Sequence, residues 1–281
     1  MLYQEVQDFS RVQELVATKQ YNKAFYLLVQ LSNHYSKNEA YLKILSHVQA
    51  ALGDYVAREK TLKALSAVTG SDMAVIDYSL QLIKNGKMNL AEEQLKSLDF
   101  SLLSENLKMV YIESLISIYA HQNHFVGIES VTQLLEKNEL LNEMYYYGKA
   151  LLELHFGLED AAISSLRQAV TLRDHFEQAW VALGLLHERR GDFELAQANF
   201  EKALDYNPLN SVALKFLAQG NIRAGQFEQS MKKVGFYLQN YNFDEEMTLN
   251  YIQLLDLAQQ NDVAQREVEK IFYFSGKNIA T

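Results

Sequence analysis

Apolar residues recur three and four positions apart along most of the chain, the spacing that gathers them on one face of a helix. The clearest stretch runs from Glu177 to Pro208. Trp180, Leu183, Gly184 and His187 share one face of a first helix, and Gly191-Asp192 breaks it. Phe193, Ala196, Phe200 and Ala203 then form the stripe of a second helix. Pro208 closes the unit, because the residue before a proline is pushed out of helical conformation.

The same two-helix pattern returns in both directions, with starts near residues 5, 39, 72, 108, 143, 177, 211 and 245, 33 to 36 residues apart. Toward the C-terminus, Leu214, Leu217 and Ala218 lead to Gly225, and Thr248, Tyr251 and Leu255 open a last unit. Toward the N-terminus, Tyr111 and Leu115 precede Gly127 and Val131, and Tyr78, Ser79 and Leu82 precede Gly86 and Ala91. In the fifth unit Met144, Tyr147, Gly148 and Leu151 stand two residues out of phase with Gly157, Ala162 and Leu166, which predicts a longer turn around His155-Phe156. The glycines give an independent check. Gly53, Gly86, Gly157, Gly191 and Gly225 fall between the helices of a unit, and Gly148 and Gly184 take a small-residue slot on first helices.

The 177–208 segment resembles the tetratricopeptide repeat: W-x2-L-G-x2-Y, then a turn glycine, A-x3-F and a terminal Pro, with His187 in place of the usual Tyr. The resemblance, by register, spans nearly the whole chain. It implies an all-α fold, a right-handed superhelical solenoid of stacked antiparallel helix pairs over residues 5–274, with 275–281 as a short C-terminal tail. Trp180 and Phe200 are then packing residues, with no ligand role.

Composition agrees. One proline, Pro208, stands in 281 residues, where average usage of about 5% would place roughly fourteen. Nothing therefore interrupts helix after helix. With 26 Lys+Arg against 35 Asp+Glu the net charge is −9, which counts against nucleic acid as a partner. Cysteine is absent, which removes disulfides, thiolate metal sites and cysteine nucleophiles. No run of about 18 apolar residues predicts membrane insertion, and the start lacks the basic and apolar stretches of a signal peptide; a cytoplasmic protein is expected.

Catalytic and cofactor signatures are missing. The glycines are dispersed at repeat spacing, so no phosphate loop forms, and neither G-x-S-x-G nor H-E-x-x-H occurs. His121 and His124 could face one metal, but no third ligand suggests itself, and solvated turn residues are expected. Glu92-Glu93 and Asp244-Glu245-Glu246 suit helix starts. No enzyme, metal or cofactor is predicted.

What remains is surface. The resemblance implies that partners dock in a groove lined by first helices, on side chains next to the packing slots. In the third to fifth units these are Met73, Ile76, Leu80, Ile83, Met109, Ile112, Ile116, Tyr119 and Tyr145, an apolar stripe. Two readings are open: a groove for an amphipathic helix or extended apolar peptide, or side chains packed on neighbours because the superhelix is tight there or the register slips by one. If Ile112 and Ile116 line a groove, Asp or Lys there is expected to spare the fold and abolish partner capture. Later units present Lys149, Arg189, Lys215, Gln219 and Arg223, a polar lining able to receive an acidic peptide. Lys215, Gln219 and Asn250 imitate part of the carboxylate clamp that the family uses for chaperone C-termini, with Gln where Asn is expected, and Glu188 and Asp256 are candidate ion-pair partners. At the C-terminus Ile271-Phe272-Tyr273-Phe274 either folds back on the last unit or meets another chain, which would make a homodimer.

The sequence therefore reads as a non-enzymatic scaffold or adaptor for a partner protein or peptide. Its rivals are a pilotin-type assembly factor of the cell envelope, which would need a signal sequence, and a peptide-sensing regulator, which would need an N-terminal DNA-binding domain.

Overall fold

The computed structural model describes residues 2–225, 227–240 and 244–278, and every regular element among them is helical. Sixteen α-helices form eight consecutive antiparallel pairs: α1 (Leu2–Ala17) and α2 (Tyr21–Tyr35), α3 (Glu39–Ala51) and α4 (Tyr55–Thr69), α5 (Asp72–Lys84) and α6 (Met88–Lys96), α7 (Glu105–His121) and α8 (Phe125–Lys137). Then follow α9 (Glu143–His155) and α10 (Glu159–Leu172), α11 (Glu177–Arg190) and α12 (Phe193–Tyr206), α13 (Ser211–Ala224) and α14 (Phe227–Asn240), and α15 (Glu245–Leu257) and α16 (Asn261–Asn278). Six of the first helices begin at the expected residue. α7 begins at Glu105, after a 3-10 turn at Phe100–Leu102, and α1 at Leu2.

Contacts divide the chain into two compact units, Met1–Val131 and Thr132–Thr281, with the division inside α8. In each unit helices pack on their neighbours in the chain, as α3 on α4 and α4 on α5, or α11 on α12 and α12 on α13. First helices of consecutive pairs also touch, α5 with α7 and α11 with α13. This is the nearest-neighbour stacking of a repeat protein.

The helix ends follow from local chemistry. Asn38, Asp54, Ser71, Asn142, Asn210 and Asp244 each accept a backbone N–H of the helix they precede, satisfying a donor the helix cannot. The turn within a pair needs one residue at positive φ. Gly53, Gly86, Gly157, Gly191 and Gly225 supply it at φ between 70 and 80°, but Lys19, Asn123 and Gln259 take the same conformation at 56, 52 and 57° in the first, fourth and eighth pairs. Gly127, by contrast, is a buried residue of α8.

These turn residues set the register of the core. Seven positions before each turn glycine stands a small buried residue: Ser46, Ser79, Ala150, Gly184 and Ala218. In the fifth pair Ala150 holds this slot rather than Gly148, and three residues separate α9 from α10, as they separate α3 from α4. The longer turn expected at His155-Phe156 is therefore absent; the apparent phase shift came from assigning Gly148 to the slot.

In the second unit Phe200 stacks on Phe216 with ring centroids 5.3 Å apart, within a core that includes Ala203, Leu217, Val234 and Tyr237. Trp180 packs against this core, and its indole N–H donates to the Asp174 carbonyl at 2.6 Å, consistent with a packing residue. His187, 4% exposed in the usual Tyr slot, lies 3.3 Å from the Asp192 carboxylate. Polar ties join consecutive pairs: Lys87 donates to Glu59 at 2.7 and 2.9 Å, Asn85 to Glu59 at 2.7 Å and Arg190 to Glu159 at 3.2 Å, while Asn207 donates to Glu177 at 2.8 Å within the sixth pair.

At the C-terminus α16 packs on α15 and runs to Asn278, so residues 275–278 extend the helix where a tail was expected; 279–281 lie outside the described residues. Ile271 and Phe274 are half-buried, whereas Phe272 and Tyr273 are 74% and 59% exposed.

Candidate functional site

In the first unit the expected apolar stripe separates into surface and core. Met73 and Leu80 on α5 are exposed at 56% and 41%, and Ile83 and Met109 are half-buried. Ile76, Ile112, Ile116 and Tyr119 are buried, at 1%, 0%, 0% and 3%, and do not line a groove. For α7 the reason is register. The turn of this pair is set by Asn123, so Ile112, eleven residues before it, occupies the slot that Trp180 holds relative to Gly191. Ile116 likewise takes the small-residue slot and Tyr119 the slot of His187. The Tyr119 ring fills the space left by Gly127, whose missing Cβ would stand 2.7 Å from it, and its hydroxyl lies 3.2 Å from the Glu92 carboxylate, donating to it. The open face of α7 is one residue on, at Val110, Glu113 and Ser117.

In the second unit Tyr145 is half-buried and donates to Glu136 at 2.9 Å. The four cations expected to line a polar groove are each matched by a carboxylate. Lys149 lies 3.9 Å from Glu153, Arg189 is 2.7 Å from Glu159, and Lys215 pairs with Glu246. Arg223 is 2.7 Å from Glu188, with its guanidinium 4.7 Å from the Phe193 ring centre. Gln219 is half-buried on α13. The partial clamp does not assemble as an open site, because Lys215 already has its carboxylate and the Asn250 amide nitrogen is buried without a partner. His121 is exposed, His124 packs edge-on to Tyr119 at 5.1 Å, and among the described residues no group of three His, Cys, Asp or Glu could hold a metal.

The open groove of this unit lies instead between α9 and α11. Tyr147, Leu151 and Leu154 recur three and four residues apart on α9, and Gln178, Val181, Leu185 and Arg189 do so on α11, so each set shares one face. They line an opening of about 560 Å³, with Asn210 at its edge. Asn210 is committed to structure, accepting from Ala213 N at 2.8 Å and donating to Glu177. Two polar groups are available: the Gln178 amide, on an exposed side chain, and the Tyr147 hydroxyl. Burial pushes the Tyr147 phenol up to about 12, so it stays a neutral donor at physiological pH. The ring is held by Phe176 at 5.0 Å, itself 1% exposed. A mostly apolar cleft with a few fixed donors and acceptors suits a peptide segment that buries side chains and bonds through its backbone. The first unit has a smaller counterpart between α1 and α3, about 360 Å³, lined by Gln13, Val16, Ala17, Lys43, Ile44 and His47.

Val181 and Leu185 immediately follow Trp180 and Gly184, so the rule that misplaced Ile112 finds them when the turn residue is Gly191. Tyr147, Leu151 and Leu154 emerge once Ala150 is taken as the small slot.

Among the described residues no helix is long and apolar enough to cross a membrane. No curated protein matches the chain in sequence. Solved structures resemble its fold, two of them as follows. A chain of the APC/C Cut9–Hcn1 hetero-tetramer matches with a TM-score of 0.59 and 8% identity over 87% of this chain and 48% of its own, so this chain spans about half that length. Pseudomonas aeruginosa PilF matches with a TM-score of 0.54 and 14% identity over 72% of this chain and 91% of its own. The tetratricopeptide repeat model matches residues 177–208, the α11–α12 pair that forms one wall of the groove. That repeat, and the stacked helix pairs before and after it, give the chain a tetratricopeptide-like fold with one matched repeat at 177–208.

Proposed function

We propose that the chain is a non-enzymatic adaptor that holds an apolar segment of a partner protein between α9 and α11. The observation that carries this is the groove itself: Leu151, Leu154, Val181 and Leu185, from two successive first helices, converge on one opening of about 560 Å³. Apolar side chains left partly open on neighbouring helices gain about 25 cal/mol per Å² from whatever covers them. Gln178 and the Tyr147 hydroxyl would fix the segment's backbone, and Arg189, balanced by Glu159, stands at the rim.

The test is partner capture by the full chain, wild type against Leu185→Asp, followed by mass spectrometry. Leu185 is 37% exposed, so the substitution is expected to leave the thermal midpoint nearly unchanged. Proteins captured by wild type and lost from the folded variant support the groove. Equal capture by both sinks it.

A further inference from the structure

We infer a second docking site, separate from the groove, for an acidic peptide segment that carries one bulky apolar side chain. It lies between α12 and α14, second helices that contribute nothing to the α9–α11 groove. Leu204, Pro208 and Phe236 line an opening of about 210 Å³, and Lys232 and Lys233 stand at it. The chemistry is mixed by construction. Leu204 is 4% exposed and forms part of the core, while Phe236 keeps half of its surface in water. Pro208, at the end of its repeat, offers an apolar ring with no backbone N–H.

The two lysines select the occupant. The chain carries a net charge of −9, and many of its cations are paired across the repeats, as Lys87 with Glu59 and Arg223 with Glu188. Among the described residues neither the Lys232 nor the Lys233 side chain has an ion pair or hydrogen bond, even though Glu228 precedes Lys232 by one helical turn and lines the adjoining opening with it. Adjacent unpaired cations beside an open apolar pocket favour carboxylates flanking an apolar anchor: the anchor supplies the buried surface, and the carboxylates supply orientation and fast association. The opening is smaller than the roughly 300–1,000 Å³ of small-molecule sites, which suits one side chain of a peptide better than a cofactor.

The probe is a short fluorescein-labelled peptide of aspartate and glutamate with a single central leucine, titrated against the full chain by anisotropy. Saturable binding is expected. It should weaken about tenfold or more in Lys232→Glu/Lys233→Glu, in Phe236→Ser, and when the peptide's leucine is replaced by serine. Leu185→Asp should leave it unchanged, which separates this site from the groove. If the Glu pair fails to fold, as judged by circular dichroism, Lys232→Gln/Lys233→Gln carries the same comparison. Absence of saturable binding overturns the inference, as does equal binding by the lysine variants or equal loss in Leu185→Asp. Binding to phosphatidylglycerol vesicles without binding to the peptide also overturns it.

Discussion

A Cβ built on Gly184 would stand 2.6 Å from Cε1 of Phe200, a separation that no side chain sustains. The glycine on α11 and the ring on α12 are therefore one packing unit, and Phe200 in turn stacks on Phe216 of the next pair. The Phe200 ring, 1% exposed, could make room only by giving up its stacking on Phe216. Gly184→Ala is expected to destabilise the second unit by about 1–3 kcal/mol through overpacking, against the gain in helix propensity that alanine ordinarily brings. Urea unfolding followed by circular dichroism checks it. A variant as stable as wild type would show that the two helices can separate without cost.

Ile112 makes the contrast between slot and surface measurable. Placed where Trp180 sits in its own repeat, it is fully buried, and Ile112→Asp puts a carboxylate with no partner into the core. A loss of more than about 4 kcal/mol is expected, enough to unfold the first unit. Met73→Asp, on an exposed side chain of α5, should change stability by no more than about 0.5 kcal/mol. Thermal melts of the two variants decide the register of α7: a folded Ile112→Asp would reinstate the groove reading of that residue.

Asp77 on α5 is a half-buried carboxylate. Desolvation pushes its pKa up, and the positive charges of Arg58 and Lys43 offset this only in part. A carboxyl whose pKa is raised by folding contributes its stability below the unfolded value and loses it as pH rises through the folded one. Asp77 is thus a liability at neutral pH. Asp77→Asn should raise the melting temperature at pH 7 by about 1–2 °C, a modest figure because the site is partly solvated. The advantage should shrink as pH falls and Asp77 takes up its proton. Melts of both proteins across an acid-to-neutral series check the sign; an advantage that grows toward low pH would refute it.

Much of the fold is legible in the residues themselves. Trp180, Gly184, Phe200 and Pro208 announce a repeat because each has a distinct steric task, and Gly53, Gly86, Gly157, Gly191 and Gly225 mark turns that favour the residue without a Cβ. Legibility fails where an ordinary residue does the same work. Asn123 holds the left-handed conformation between α7 and α8 at φ 52°, and with no glycine to anchor it the register of that pair slips by one. Every predicted groove residue on α7 except Met109 then proves to be core. A second signal was available. Tyr111, Ile112, Leu115, Ile116, Ile118 and Tyr119 gather on one continuous side of α7, with Glu113 and Ser117 opposite, and a stripe that wide marks the face turned to the core. α11 alternates the same packing slots with Gln178, Glu188 and Arg189, which mark a face in water. The Arg223–Glu188 pair uses a partner the sequence offered, whereas Glu159, the partner of Arg189, lies about 30 positions away, and spacing alone does not say which side chains two stacked helices turn toward each other.

Polar ties between consecutive pairs, such as Asn85 with Glu59 and Arg223 with Glu188, span 26 and 35 positions. A chain held by such short loops closes each one at low entropic cost and has a low contact order, so its folding should be fast and able to begin at more than one pair. It also yields piecemeal. Terminal pairs, with a neighbour on one side only, open at lower free energy than α11–α12, whose amides would be the last in the second unit to exchange with solvent. A chain built this way can loosen an end while the interior helices that wall the α9–α11 groove stay closed.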